Sequence, residues 1–197
     1  QLAGCPGTCP VGNHGVAPGQ TTLNAACEPC PKGHYCPDYA TIIPCPSGRW
    51  GNVSNATQLS ACGFQCPLGR FGSVPGQSTM LTACPGKCES GTFGNSNMAG
   101  SLRTTQENAC VQCTMGHYCL GGSIATPCPG GRYGAVPGSS SLTDGCAEPC
   151  PSGTYGNVPG QTTAGNACPQ LCPPGTTFKS DAQASQTVWA ACTPCPQ

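Results

Sequence analysis

Cysteine at regular intervals constrains this chain more than any other feature. Twenty cysteines run from Cys5 to Cys195 in 197 residues, at the density of a disulfide scaffold. A reducing compartment would leave such thiols free, so the spacing points to an extracellular, secreted or cell-surface protein. Leu, Ile, Val and Phe together number only 24, well below the share found in ordinary globular chains. One shared hydrophobic core is therefore not expected. Ordering the backbone costs about 1–2 kcal/mol per residue. Disulfides can offset part of this, because closing a loop of about 18 residues contributes on the order of 3 kcal/mol in the chain-entropy view.

The cysteines mark an internal repeat. Nine of them, Cys9, Cys30, Cys45, Cys66, Cys88, Cys113, Cys128, Cys150 and Cys172, each open a unit. Three residues after each stands a glycine, from Gly12 and Gly33 through to Gly175. Five residues after comes an aromatic ring in seven units: Tyr35, Trp50, Phe71, Phe93, Tyr118, Tyr133 and Tyr155. His14 takes that place in the first unit, and Phe178 is displaced by one in the last. Pro-Gly recurs at 18–19, 75–76, 137–138 and 159–160, the chemistry of a type II turn. The glycine after each opening cysteine suits a positive φ or a close backbone approach. The ring is expected to supply most of the apolar area of its unit.

Two units are short, Cys30 to Cys45 and Cys113 to Cys128, and both read Gly-His-Tyr-Cys, ending at Cys36 and Cys119. Each is followed by three long units. The organisation expected is residues 1–30 as the end of a preceding block, 30–113 as one block, and 113–195 as a second. The chain is out of phase with this period, as a piece of a longer array or a subunit continued by its neighbour would be. The fold class is small and disulfide-rich: an elongated tandem-repeat rod of short β-hairpins and turns with almost no helix. Each unit should touch mainly its neighbours, giving a radius of gyration well above ~25 Å, against the roughly 16 Å of a compact chain this long.

Two disulfide registers are simple. In one, each opening cysteine pairs within its own unit: Cys9–Cys27, Cys30–Cys36, Cys45–Cys62, Cys66–Cys84, Cys88–Cys110, Cys113–Cys119, Cys128–Cys146, Cys150–Cys168 and Cys172–Cys192. Cys5 and Cys195 are then left to bond beyond the chain's ends, to further sequence or to another subunit. In the other, cysteines flanking each junction pair, such as Cys5–Cys9 and Cys27–Cys30, and all twenty are satisfied internally. The first is favoured, because Cys-x-x-Cys bridges are usually strained and labile and because it closes the larger loops.

Cys30-Pro31-Lys32-Gly33-His34-Tyr35-Cys36, followed by Pro44-Cys45-Pro46-Ser47-Gly48-Arg49-Trp50-Gly51, resembles the ephrin-receptor-like cysteine-rich repeat. That module is related in appearance to tumour-necrosis-factor-receptor and EGF-like modules. The resemblance covers nearly the whole chain. It implies an extracellular, loop-rich, disulfide-laddered fold, of the kind found in long arrays in surface and flagellar-hair proteins of protists and algae. It brings no catalytic residues, and fold does not by itself fix function.

Enzyme chemistry finds little footing. The pairs Cys27/Cys30, Cys110/Cys113 and Cys192/Cys195 have zinc-knuckle spacing, but they recur at the repeat period, so disulfides are expected and a metal is not. His34 and His117 sit where other units carry Arg49, Arg70 and Arg132, a slot read as polar and outward. The seven acidic residues are scattered, and no nucleophile with an orienting carboxylate accompanies the histidines. No catalytic residue, cofactor or metal site is assigned. Charged residues make up 7% and the net charge is zero, which disfavours nucleic acid and gives no polybasic membrane segment. Direct membrane insertion is not expected either.

A neutral, charge-poor surface promotes association. The partners expected are the protein itself, head-to-tail or laterally in a fibre, and glycans. Two sequons, Asn52-Val53-Ser54 and Asn55-Ala56-Thr57, make Asn52 and Asn55 the candidate glycosylation sites. Asn55 occupies the slot held by glycine in the Pro-Gly units, so a positive φ on an exposed turn is expected there. The function these features favour is a structural segment of an extracellular filament, surface coat or flagellar-hair-like fibre. The alternative is a protein-binding receptor or adhesin ectodomain.

Overall fold

The computed structural model describes residues 8–16, 19–178 and 191–195, and Phe178 by its backbone alone. Every unit folds as one two-stranded antiparallel hairpin, nine among the described residues. In the first repeat Asn13–Gly15 pairs with Cys27–Pro29, with His14 opposite Glu28. In the third, Arg49 lies opposite Gln65 and Trp50 opposite Phe64. The fourth and seventh keep the same register, Arg70 opposite Lys87 and Arg132 opposite Pro149. The short repeats make smaller hairpins of two residues a side, His34–Tyr35 with Ile43–Pro44 and His117–Tyr118 with Thr126–Pro127.

Each hairpin is opened by a tight turn. The glycine three residues after the opening cysteine has a positive φ, 82° at Gly33 and 84° at Gly91. This turns the chain so that the next residue's amide reaches back two residues beyond the glycine. His34 N donates to Pro31 O at 3.1 Å, and Arg49 N to Pro46 O at 3.0 Å.

The long repeats add an element that was not expected. A single helical turn ends just before the closing cysteine: Leu23–Ala26, Met80–Ala83, Gln106–Ala109, Leu142–Gly145 and Ala164–Ala167. In the third repeat Leu59–Cys62 forms the equivalent 3₁₀ turn. In three of them a hydroxyl five residues before the cysteine caps the turn. Thr22 accepts from Ala25 N at 3.3 Å, Thr79 from Thr82 N at 3.3 Å and Ser141 from Asp144 N at 3.2 Å. These are N-caps, each satisfying an amide that a one-turn helix leaves without a partner.

The disulfides close each repeat on itself. The bonds are Cys9–Cys27, Cys30–Cys36, Cys45–Cys62, Cys66–Cys84, Cys88–Cys110, Cys113–Cys119, Cys128–Cys146, Cys150–Cys168 and Cys172–Cys192. Their Cα separations run from 5.4 to 5.9 Å, inside the range a disulfide spans without moving the backbone.

The buried apolar side chains among the described residues are all cysteine or alanine. The rings stand over these small side chains. Tyr35, Trp50, Phe71, Phe93, Tyr118, Tyr133 and Tyr155 are half-buried, so they cover the cystines instead of forming the core. Trp50 packs on Cys66, Ala83 and Cys84 of the following repeat, and Tyr133 on Cys150, Ala167 and Cys168. Trp50 also stacks on Phe64 of its own hairpin, with centroids 4.2 Å apart and planes at 16°. The physical reason is size. A slab two strands wide has no interior deep enough for an aromatic ring, whereas a sulfur pair and a methyl group fit beneath one.

The described residues group into two compact bodies. One runs through Lys87 and takes in Ser96–Ala109; the other holds Cys88–Asn95 and continues from Cys110.

Candidate functional site

The chemistry-bearing residues picked out by the sequence stand apart from one another. Among the described residues no group of three or more His, Cys, Asp or Glu side chains could hold a metal ion. Cys27 and Cys30 belong to different disulfides, as do Cys110 and Cys113. Cys192 is bonded to Cys172, and Cys195 is exposed with a free thiol. Cys5 lies outside the described residues. Asp38 has its carboxyl held below the usual carboxylate range by the amide of Ala40 and the hydroxyl of Thr41. It caps an exposed local turn, with Ala40 N at 2.8 Å and Thr41 N at 2.7 Å from Oδ1.

The slot four residues after the opening cysteine is not simply outward. Arg49, Arg70 and Arg132 are half-buried. Each guanidinium reaches across its hairpin to the carbonyl of the closing cysteine: Cys62 at 3.3 Å, Cys84 at 3.1 Å and Cys146 at 3.0 Å. His34 and His117, also half-buried, lie instead against the turns at Gly76 and Gly160. A short repeat has no long loop for an arginine to bridge, and its histidine covers a neighbouring turn.

What recurs is a backbone junction built from three successive repeats. In its first part, the opening cysteine of one repeat donates its amide to the carbonyl of the positive-φ glycine of the repeat before. Cys30 N reaches Gly12 O at 2.8 Å, Cys45 N reaches Gly33 O at 2.8 Å, Cys113 N reaches Gly91 O at 2.9 Å and Cys128 N reaches Gly116 O at 2.8 Å. In its second part, the carbonyl of that same cysteine accepts from the turn residue at position +10 of the next repeat. Asn55 N reaches Cys30 O at 2.9 Å, Gly76 N reaches Cys45 O at 2.8 Å, Gly138 N reaches Cys113 O at 2.7 Å and Gly160 N reaches Cys128 O at 2.8 Å. In every case the turn residue lies in the repeat after the one the cysteine opens.

The third part explains why glycine is needed. The carbonyl of the turn residue lies directly over the positive-φ glycine two repeats earlier. A Cβ on Gly12 would stand 2.6 Å from Asn55 O, and one on Gly91 would stand 2.6 Å from Gly138 O. Gly33 meets Gly76 O, and Gly116 meets Gly160 O, more closely still. Contact therefore reaches the next repeat but one, further than the nearest-neighbour stacking expected from the sequence. The cause is the small cross-section of each hairpin, which lets a ten-residue loop reach past its neighbour.

Position +6 follows a related rule. In the long repeats other than the ninth, which has Phe178 there, it is glycine, and in four of them a carbonyl of the helical turn lies against it. Gly51 faces Ala61 O, Gly72 faces Ala83 O, Gly134 faces Gly145 O and Gly156 faces Ala167 O. The short repeats lack that turn, and Cys36 and Cys119 use the room for a side chain that bonds the opening cysteine.

Asn52 and Asn55 are both exposed, on one loop of the third repeat. Asn55 has a φ of 60°, the one positive value at a non-glycine residue among the described residues. Its Nδ2 donates to Asn13 Oδ1 at 2.9 Å. Ala56, between the sequon asparagine and its threonine, is buried and accepts from Cys36 N at 2.8 Å. Among the described residues no helix is long and apolar enough to cross a membrane.

No family model matches the chain. Over 72 residues, 36% of its length, it is 33% identical to a Rattus norvegicus protein, "Sushi, von Willebrand factor type A, EGF and pentraxin domain-containing protein 1". The chain spans about 2% of that relative's length. Nine disulfides among the described residues, each within one repeat, place the chain among disulfide-rich repeat proteins of extracellular type.

Proposed function

We propose that the chain is a structural repeat segment of an extracellular filament, surface coat or flagellar-hair-like fibre, built from repeats of ephrin-receptor-like kind. One observation carries this reading: the same three-repeat backbone junction is rebuilt four times. Main-chain groups and glycines make it, and such a device sets spacing without recognising a substrate. The scattered titratable residues support a non-enzymatic role. The charge-poor surface supports association and glycan cover, since it also exposes Leu81, Leu120, Ile124 and Leu171; exposed apolar side chains with few charges between them favour covering by another surface.

The second reading is a receptor or adhesin ectodomain. It is favoured by the partial similarity to a protein whose name joins EGF, sushi and pentraxin domains. Negative-stain electron microscopy of native material separates the two. Fibres with a constant axial repeat are the expected result. Isolated particles at all concentrations would leave the ectodomain reading in its place.

A further inference from the structure

The disulfides divide the chain into sealed loops and the links between them, and two of the links are unlike the rest. Six of the links between successive disulfides are two or three residues long. They hold little slack, because their residues are already strand: Phe64–Gln65 between Cys62 and Cys66, Gly86–Lys87 between Cys84 and Cys88, and Glu148–Pro149 between Cys146 and Cys150. The two short repeats differ, because their bonds have a sequence separation of only 6. Residues 37–44 lie between Cys36 and Cys45, and residues 120–127 between Cys119 and Cys128, eight in each case and outside every described loop.

These two links fold back on themselves. Ile43–Pro44 returns antiparallel to His34–Tyr35, and Thr126–Pro127 to His117–Tyr118. Cys36 and Cys45 therefore end three positions out of register on facing strands, roughly 11 Å apart at ordinary strand spacing and rise. Drawn out, the link between them spans about 30 Å. Little holds it folded. Residues 37–42 are all exposed, each hairpin pairs two residues a side, and the proline in each returning strand has no N–H to donate. Each link also bonds to the repeat before, Gly15 N donating to Tyr39 O at 2.8 Å and Gly122 N to Cys88 O at 3.0 Å.

We propose that the two short repeats are the extensible elements of the chain: under tension each releases its eight unsealed residues, while the long repeats stay closed by their disulfides. Force along the chain crosses a long repeat through its cystine, whose Cα atoms stand 5.4 to 5.7 Å apart, and bypasses the residues inside the loop. In a short repeat the cystine seals only the first strand, and the returning strand bears the load. Only hydrogen bonds and packing give way there, so the change reverses on relaxation and no thiol chemistry is involved. A short repeat opens each block of four, at Cys30 and at Cys113, so the slack recurs at the block period. This goes beyond the fibre reading and holds equally for an ectodomain, because it needs only the disulfide map and the hairpin register.

Stretching single molecules of the chain, held by handles at both ends in oxidising buffer, tests this. Two reversible extension steps of about 20 Å each are expected, the difference between the drawn-out and folded spans. Tyr35→Cys combined with Ile43→Cys places a disulfide between facing residues of the first short repeat and should remove one of the two steps. Inserting four residues after Thr41, in the exposed stretch, should instead lengthen one step by about 13 Å. Non-reducing peptide maps confirm the bridges in each variant. Two unchanged steps once the added bridge has formed overturn the proposal, as does an insertion that alters neither step. Small, equal extensions spread over all repeats of the unaltered chain, with no step of the expected size, overturn it too. None of these outcomes bears on the fibre reading, which the negative-stain images decide.

Discussion

Asn55 Nδ2 donates to Asn13 Oδ1 at 2.9 Å, joining the turn of the third repeat to the first strand of the first across 42 residues of sequence. The same residue donates its amide to Cys30 O and lays its carbonyl over Gly12. One asparagine thus touches the two preceding repeats at once. It can do so because it holds a φ of 60°, a conformation that costs most other residues about 1–2 kcal/mol.

Asn55→Ala should therefore lower stability by about 1–3 kcal/mol, combining the left-handed strain with one lost hydrogen bond. Asn55→Gly loses only the side-chain bond and should cost about 0.5–1.5 kcal/mol. Urea unfolding midpoints of the two variants give the comparison. An alanine variant as stable as the glycine variant would show that the turn does not depend on this backbone conformation.

A second pair of substitutions separates strain from contact. Gly33 and Gly153 have nearly equal φ values of 82° and 84°. Gly33 is covered by the Gly76 carbonyl, while Gly153 has no described atom within 4 Å of its Cβ position. Alanine at either site bears the same backbone cost. Only Gly33→Ala should also force the repeats apart, so it should be the more destabilising by about 1–3 kcal/mol. Hydrogen exchange of the amides of Cys45 and Gly76 should quicken in Gly33→Ala, and no such local effect is expected around Gly153.

The sequence showed most of the fold because its constraints are covalent and periodic. Cysteine spacing and the Gly and Pro-Gly positions lie in the linear text, and nine hairpins follow from them. The helical turns could have been found there as well: Thr22, Thr79, Thr105, Ser141 and Thr163 each stand five residues before a closing cysteine. The contact between Gly33 and Gly76 could not be read, because it depends on how far one loop reaches over its neighbour. The places of the rings at Trp50 and Tyr133 could not be read for a related reason. Period alone marks a ring as recurrent, but the width of the hairpin decides whether it is core or cover.

Removing one cystine tests the core. Cys66 and Cys84 enclose a cluster with Ala83, all nearly inaccessible, beneath Trp50. The double variant Cys66→Ala, Cys84→Ala loses an 18-residue loop closure, worth about 3 kcal/mol, and opens a space under the indole. Trp50 fluorescence should shift to longer wavelength, and limited proteolysis should begin in the fourth repeat. An unchanged emission maximum would mean that the indole is held by Phe64 alone.

For glycosylation, the two sequons should behave differently. Asn55 is tied by its amide, its carbonyl and its Nδ2. Asn52 is exposed in a run of exposed residues from 52 to 55. Peptide mass spectrometry of protein from a secreting host should find sugar on Asn52 in preference to Asn55. Predominant modification of Asn55 would show that its bond to Asn13 gives way to the glycan.

The locality of the disulfides affects how the molecule can be made. Among the described residues no bond spans more than 22 residues, and two span only 6. A chain entering an oxidising lumen from its N-terminal end could seal each hairpin once the second cysteine had crossed, with no partner still inside the ribosome or the translocation pore. Maturation can proceed in order of synthesis, one repeat at a time, so lengthening the array by whole repeats would add production time without multiplying the cysteine pairings to be searched.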